Sequence, residues 1–320
     1  MKKLLIVSLS LIFLTTLFYL TVFSFDKQEL ADDFSNSSIQ DVTINKDNLK
    51  ILQLTDLHLT YGFDYLDRKT YKLIDTIIKQ EKPDLIVFTG DLVMSIYAKF
   101  LIKDFIKKID KYNIPYTFTF GNHEMEYHTM EQIVNSIKRV KTKNLIFHQG
   151  EKLSDDNTHG YSNFKIKINL TNRSFYIYML DTKANRTDNV ISDNKYDYLS
   201  LEQVDWFYRQ AKLDDGKNLV FMHIPLVEFL DYEGIPNETI WTQGKNTGLF
   251  SKLVEVGKTL GVFVGHDHTN EFEFYKDNIM LAYGRNSGYN AYGTNKKGGR
   301  IIMINNLDNI STYLVGDSNE

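Results

Sequence analysis

Asp56 and His58 close the run Leu49-Lys50-Ile51-Leu52-Gln53-Leu54-Thr55-Asp56-Leu57-His58. On an extended backbone, side chains two apart point to the same side, so this carboxylate and this imidazole can both reach one metal ion. The same device, an apolar run that stops at side chains able to bind metal, recurs four times. It appears in Ile86-Val87-Phe88-Thr89-Gly90-Asp91, in Tyr116-Thr117-Phe118-Thr119-Phe120-Gly121-Asn122-His123-Glu124, in Leu219-Val220-Phe221-Met222-His223, and in Gly261-Val262-Phe263-Val264-Gly265-His266-Asp267-His268. Five strand ends are therefore expected to converge on one site. The 320-residue chain contains no cysteine, which excludes disulfides, thiolate zinc sites and cysteine nucleophiles, and leaves nitrogen and oxygen as the donors for any metal. Gly90, Gly121 and Gly265 each stand immediately before one of these polar residues, where a strand must turn sharply and the backbone pass close to the site.

The elements that must position these residues alternate. Apolar runs predict strands over 49–55, 85–89 and from Pro115, separated by helical spacing over 65–80 and 100–112, which is an α/β pattern. A helix over 130–139 and strands over 144–148, 164–170 and 174–180 follow, the last two joined by a turn at Thr171-Asn172-Arg173. The polar stretch 181–198 reads as a long loop over one face, a length that often carries function. Ser200 and Gln203 mark the start of a helix over 199–212. Strands over 219–222 and 261–264 are separated by a loop and a helix near 247–257, and short strands follow over 271–275, 279–283, 300–304 and 310–314. The expected product is an α/β fold of two packed mixed β-sheets flanked by helices.

Three segments are expected. Residues 1–25 carry Lys2 and Lys3 before a nearly continuous apolar run from Leu4 to Phe25. At about 22 residues this is long enough for a transmembrane helix with its amino terminus inside, the alternative being a cleaved signal peptide. Either reading places the rest outside the cytoplasm: at the cell membrane as a single-pass protein, or secreted if the segment is removed. Residues 26–48 read as a polar linker and residues 49–320 as the folded domain that carries the five blocks. A formal net charge of −4 and the lack of a basic block interleaved with aromatics give no sign of a nucleic-acid groove.

Taken in order, Asp-x-His, Gly-Asp, Gly-Asn-His-Glu, a lone His after an apolar strand, and Gly-His-x-His resemble the signature blocks of the calcineurin-like metallophosphoesterase superfamily, whose domain has a four-layer form. The resemblance implies two divalent or mixed-valence metal ions drawn from Mn, Fe or Zn. Asp56, His58, Asp91 and His268 would hold one ion, and Asp91, Asn122, His223 and His266 the other, with Asp91 bridging. It further implies hydrolysis of phosphate esters, in the first place monoesters, by a hydroxide between the ions, with His123 aiding the leaving group. The implied partner is a phosphorylated small molecule or a phosphoprotein. Alternatives are a phosphodiesterase acting on nucleotides, lipid headgroups or wall polymers, and a non-catalytic metal-containing binding protein of the cell envelope.

Met94 occupies the position three after Asp91 where purple acid phosphatases carry a tyrosine ligand and the calcineurin-type protein phosphatases an aspartate that orients the catalytic histidine. With the stretches around His223, His266 and Arg285, this resembles the purple-acid-phosphatase-like and Dcr2-type group that lacks the tyrosine. In the Gly-rich turn Tyr283-Gly284-Arg285-Asn286-Ser287-Gly288-Tyr289, Arg285 either binds a substrate phosphate as a fork, with Asn286 and Tyr289 beside it, or is a surface arginine in a tolerant turn. Glu228 either supports His223 or His266 from behind or faces solvent. His128, His148 and His159 match no block and read as surface or loop residues.

Overall fold

In Tyr65–Glu81 (α2), Leu73, Ile74, Ile77 and Ile78 recur at helical spacing and are buried, and Asp64 caps the start by accepting from the N–H groups of Leu66 and Asp67. Helices of this kind form the outer layers of the fold. The structure is a computed structural model that describes residues 2–23, 39–151, 153, 159–186, 194–294 and 296–317. In chain order its elements are α1 (Lys2–Phe23), β1 (Ile39–Thr43), β2 (Leu49–Leu54), α2, β3 (Leu85–Thr89), α3 (Ala98–Ile109), β4 (Tyr116–Thr119), α4 (Met130–Lys138), β5 (Leu145–Ile146), β6 (Phe164–Asn169), β7 (Ser174–Met179), α5 (Leu201–Leu213), β8 (Asn218–Phe221), α6 (Leu249–Val256), β9 (Thr259–Val264), β10 (Glu273–Lys276), β11 (Ile279–Tyr283), β12 (Gly298–Ile304) and β13 (Ile310–Gly316).

The strands form two mixed sheets, one of seven in the order β1-β6-β7-β8-β9-β11-β10 and one of six in the order β13-β12-β2-β3-β4-β5. Ile51, Leu85 and Val87 of the smaller sheet meet Ile177, Phe221 and Phe263 of the larger in a buried layer between them. Outside the smaller sheet, Ile74, Phe105 and Ile133 bring α2, α3 and α4 into a second core; outside the larger, Trp206, Phe207 and Leu253 bring in α5 and α6. Helix, sheet, sheet and helix are thus stacked in four layers, as the α/β alternation predicts. β2, β3 and β4 pair in parallel, as do β8 and β9, so five carboxyl ends lie on one rim.

Two expectations are revised. Residues 39–43, read as part of a polar lead-in, form β1 at the edge of the larger sheet, in parallel register with β6. The segment Ile39-Gln40-Asp41-Val42-Thr43 has no apolar run of its own, and its strand is templated by its neighbour. Residues 26–38 of that expected linker, and 24 and 25 before them, lie outside the described residues.

The second revision concerns the membrane. Lys2–Phe23 forms one helix. Among the described residues no helix is long and apolar enough to cross a membrane. The transmembrane and signal readings, the membrane as a partner and the cell-membrane or secreted location derived from them are corrected on this ground.

Candidate metal centre

Each strand of the rim ends just before the residues that could do chemistry. Asp56 and His58 follow β2, Asp91 follows β3, Asn122 and His123 follow β4, His223 follows β8, and His266 and His268 follow β9. The route by which Asp56 and His58 come together differs from strand alternation. β2 stops at Leu54, and Asp56 and His58 have φ values of 54° and 46°. Asp91 (52°) and His266 (82°) are also left-handed. A non-glycine residue in this region carries a cost of about 1–3 kcal/mol, so the backbone is bent against its preference at Asp56, His58, Asp91 and His266.

Asp91 sits at the middle of the cluster. Its Oδ1 accepts the backbone N–H of His123 at 2.9 Å. Its Oδ2 lies 3.5 Å from Nε2 of His58, 3.2 Å from Nε2 of His223 and 3.9 Å from Nε2 of His123. On one side, Asp56 Oδ1 is 3.4 Å from Nε2 of His268 and 4.0 Å from Nε2 of His58. Ligand atoms of Asp56, His58, Asp91 and His268 all lie within 4.8 Å of one another, and all four residues are buried. On the other side, Nε2 of His223 lies 3.1 Å from Oδ1 of Asn122 and 3.3 Å from Nδ1 of His266. Nδ1–H of His223 donates to the Thr89 carbonyl at 2.7 Å, which fixes the ring orientation and turns Nε2 toward Asp91, Asn122 and His266.

These residues fit metal ions better than they fit one another. Nε2 of His58 and Nδ1 of His268 are buried without a hydrogen-bond partner among the described residues, a costly condition unless a ligand is supplied. Burial acts to raise the Asp56 and Asp91 carboxyls, yet His268 and His223 bring Asp56 down to about 2, and His223 and His58 hold Asp91 well below the usual range. Burial disfavours charge on His223, but Asp91 and Asp56 raise it to about 10; burial and the charge of His223 push His266 down to about 3. Two anions and a cluster of imidazoles closed off from water thus call for positive charge. Carboxylates, imidazoles and one amide suit a binuclear divalent-metal site in which Asp91 faces both halves.

Glycine is required at two of these turns. A Cβ on Gly121 would lie 2.2 Å from Oδ1 of Asp91, and one on Gly265 would lie 2.0 Å from Oγ1 of Thr55 and 2.9 Å from Oδ2 of Asp56. Glu124 pins the same turns from beneath. It accepts from Gly121 N at 2.8 Å and from Leu92 N at 2.5 Å, and burial with Asp91 nearby raises its carboxyl to about 7.

His123 is about 29% exposed on the open side, with Nδ1 2.5 Å from Oε1 of Glu126. Burial opposes its protonation, but Asp91 and Glu126 outweigh that and raise it. Glu126 was missed in the sequence, although its place three residues after a candidate acid in one turn is a readable signal. Tyr196 stands edge-on to His266 with centroids 4.3 Å apart, and Tyr292 stacks on His268 at 3.9 Å.

Other sequence candidates are occupied elsewhere. Arg285 forks onto Glu271 through Nε at 2.6 Å and Nη2 at 3.1 Å. Asn286 Oδ1 accepts Gly288 N, and the Tyr289 hydroxyl donates to Asp317, so these residues brace the turn and the end of β13. Glu228 accepts from Asn246 and not from His223, whose Nδ1 already serves Thr89. His128 and His159 are buried, the first with Nε2 2.8 Å from the Ile96 carbonyl and the second with Nδ1 2.6 Å from Ser200 Oγ.

Residues 49–270 match the family described as calcineurin-like phosphoesterase. The chain belongs to this family. A relative named probable inactive purple acid phosphatase 29, from Arabidopsis thaliana, is 31% identical over 291 residues, covering 76% of this chain and 73% of that one. Phosphatase DCR2 of Saccharomyces cerevisiae is 28% identical over 310 residues, covering 82% of this chain and 53% of that one. A dimetal phosphatase from Danio rerio superposes with a TM-score of 0.58 at 15% identity, covering 82% of this chain and 98% of that one, a likeness of fold. As a calcineurin-like phosphoesterase the chain sits with the purple-acid-phosphatase-like and Dcr2-type group lacking the tyrosine ligand. In that position Met94 places Sδ 3.4 Å from Nδ1 of His58. Fold and donor set together are those of a metal-dependent phosphoesterase site bridged by a carboxylate.

Proposed function

We propose that this calcineurin-like phosphoesterase hydrolyses phosphate monoesters. In this reading Asp56, His58, Asp91 and His268 hold one divalent ion, Asp91, Asn122, His223 and His266 hold the second, and His123 serves the leaving group. The observation that carries it is Oδ2 of Asp91, placed between Nε2 of His58 and Nε2 of His223 while Oδ1 is tied to the His123 backbone. Two divalent ions bound there supply an acidified water and neutralise charge on the phosphate oxygens.

The chain's own residues account for the rest. Asn122 contributes an amide oxygen without further negative charge. His123, backed by Glu126, stands on the open side, where it can hydrogen-bond a phosphate oxygen and pass a proton to the departing alkoxide as the P–O bond breaks. Water supplies the oxygen gained by phosphorus, and the alcohol leaves with the proton from His123.

The relatives' names support a second reading, metal binding without turnover, since three of them are called probable inactive purple acid phosphatases. The retention of His123 with an orienting carboxylate favours catalysis. The deciding experiment is turnover of the metal-reconstituted protein on matched aryl phosphate monoesters and diesters, with Mn, Zn, Fe and Mg compared and metal content measured in parallel. Faster monoester hydrolysis supports the proposal. Diester preference replaces it with a phosphodiesterase, and bound metal without turnover on either replaces it with the binding role.

A further inference from the structure

Two tyrosines lean on the histidines that follow β9, and they differ in what their hydroxyls do. Tyr292 stacks on His268 with centroids 3.9 Å apart and gives its hydroxyl to Oε2 of Glu238 at 2.8 Å. Tyr196 meets His266 at 4.3 Å with the rings at 89°, and its hydroxyl makes no hydrogen bond among the described residues. A phenol whose ring is packed away from water ordinarily finds a partner. Tyr116, Tyr161, Tyr178 and Tyr283, elsewhere in the fold, each donate to an oxygen. Tyr196, half-buried beside the metal centre, does not.

Its ring is nonetheless firmly placed. Residues 184–186 and 195–197 run antiparallel, with Arg186 N donating to Lys195 O, Asp197 N to Ala184 O, and a bridge between Asn185 and Tyr196. Tyr196 N donates to Oδ1 of Asn194, whose Nδ2 donates to the Thr242 carbonyl at 2.7 Å. Trp241 packs against the Tyr196 ring at 6.2 Å, and its own backbone N–H is held by Oδ2 of Asp267 at 3.1 Å. Asp267 lies between His266 and His268 in the chain, so the frame that sets Tyr196 is tied to the centre itself.

The hydroxyl stands within electrostatic reach of the bridging carboxylate. Burial, with the charges of Asp267, Asp91 and Glu238, raises the phenol above its ordinary value and keeps it a donor. A donor that feels these carboxylates without bonding to one is open to an acceptor from outside the chain.

We infer that Tyr196 is a substrate-binding residue, whose hydroxyl donates to an oxygen of the phosphoryl group from the His266 half of the site while His123 serves the leaving group. The inference rests on the hydrolytic reading above and deepens it by giving the phosphoryl group a neutral donor of its own. Ring and hydroxyl then have separate duties, the first packing His266 and the second meeting the substrate.

Tyr196→Phe separates them, because it keeps the ring and removes one atom. The test uses the metal-loaded full chain, with inorganic phosphate as the probe in calorimetry, 4-nitrophenyl phosphate for turnover and elemental analysis for metal. Phosphate affinity is expected to fall about tenfold, the equivalent of one hydrogen bond to a charged group. The loss in kcat/KM should be similar and carried by KM, with metal content and melting temperature those of the parent.

Unchanged phosphate affinity overturns the inference. So does an affinity that falls only in step with lost metal, since Tyr196 then does no more than support His266. Weaker phosphate binding at full metal content, with no turnover by either chain, supports the tyrosine while the hydrolytic reading fails. Turnover by the parent, with phosphate affinity and KM untouched in the variant, does the reverse.

Discussion

Oε1 of Glu126 lies 2.5 Å from Nδ1 of His123, one turn along the chain, while the His123 backbone N–H holds Oδ1 of Asp91. The histidine is therefore oriented from within its own segment, with Nε2 turned toward the centre. Met94, at the position where related protein phosphatases place an aspartate for this purpose, lies instead against His58. Glu126→Gln is expected to lower turnover roughly tenfold, and His123→Ala by roughly 100- to 10,000-fold. Both should retain metal, and both losses should grow as the leaving group becomes more basic. Equal losses on aryl phosphates with good and poor leaving groups would show that His123 does not act as an acid.

The two oxygens of Asp91 have separate duties, and a change that preserves shape tests them. Asp91→Asn leaves a side chain able to meet the His123 N–H but removes the charge facing His58 and His223. Metal content, read by elemental analysis, is expected to fall from two ions per chain toward one or none, and turnover to fall by at least roughly 100-fold, because an open, uncompensated imidazole pair replaces a bridged one. Wild-type metal content in this variant would refute the bridging role.

The centre was legible because its donors come in blocks at strand ends, and blocks survive reading in one dimension. Asp56, His58, Asp91, Asn122, His223, His266 and His268 are brought together by the ends of parallel strands that apolar runs announce. What escaped depends on partners distant in sequence. Arg285 looks like a phosphate fork until Glu271 is seen to occupy it, and β1 is a strand because β6 lies beside it. The open choice for Glu228, between supporting His223 or His266 and facing solvent, needed the fold for the same reason, since Thr89, 134 residues from His223, takes the His223 Nδ1 contact and Glu228 accepts from Asn246. The 181–198 loop could be marked as functional by its length, but the meeting of Tyr196 with His266 needs the fold.

Asp110 provides a pH-dependent test away from the centre. Burial acts to raise its carboxyl, but the Thr142 hydroxyl and the N–H groups of Asn144 and Lys143 lower it, tying the end of α3 to the start of β5. A carboxyl lowered on folding adds stability above its unfolded value, near 3.9, and that stability is lost as the pH falls through the lower folded value. Asp110→Asn is expected to cost about 1 kcal/mol at neutral pH, discounted for its partial exposure, and the difference from the parent chain should shrink as the pH falls below about 4. Denaturant unfolding at pH 7 and pH 3 measures it; a constant difference would place the stabilisation elsewhere.

Gly121 tests whether the geometry of the turn or the donors alone make the centre. A methyl group there would stand 2.2 Å from Oδ1 of Asp91 and 2.5 Å from its backbone N, and the nearest atoms belong to a buried carboxylate and main chain that cannot move aside cheaply. Gly121→Ala should therefore displace Asp91 from the line between His58 and His223 and loosen the Glu124 contact with the Gly121 N–H. Unlike the asparagine variant, it keeps every donor atom. The expected outcome is reduced metal content with a melting temperature lowered by more than chelation lowers that of the parent, at a cost of about 1–3 kcal/mol for overpacking. If the variant binds two ions and matches the parent in thermal unfolding, the close approach of β4's end to Asp91 is not what sets the site. If it loses metal but unfolds like the chelated parent, the turn serves the ions alone and contributes nothing to the packing of the two sheets.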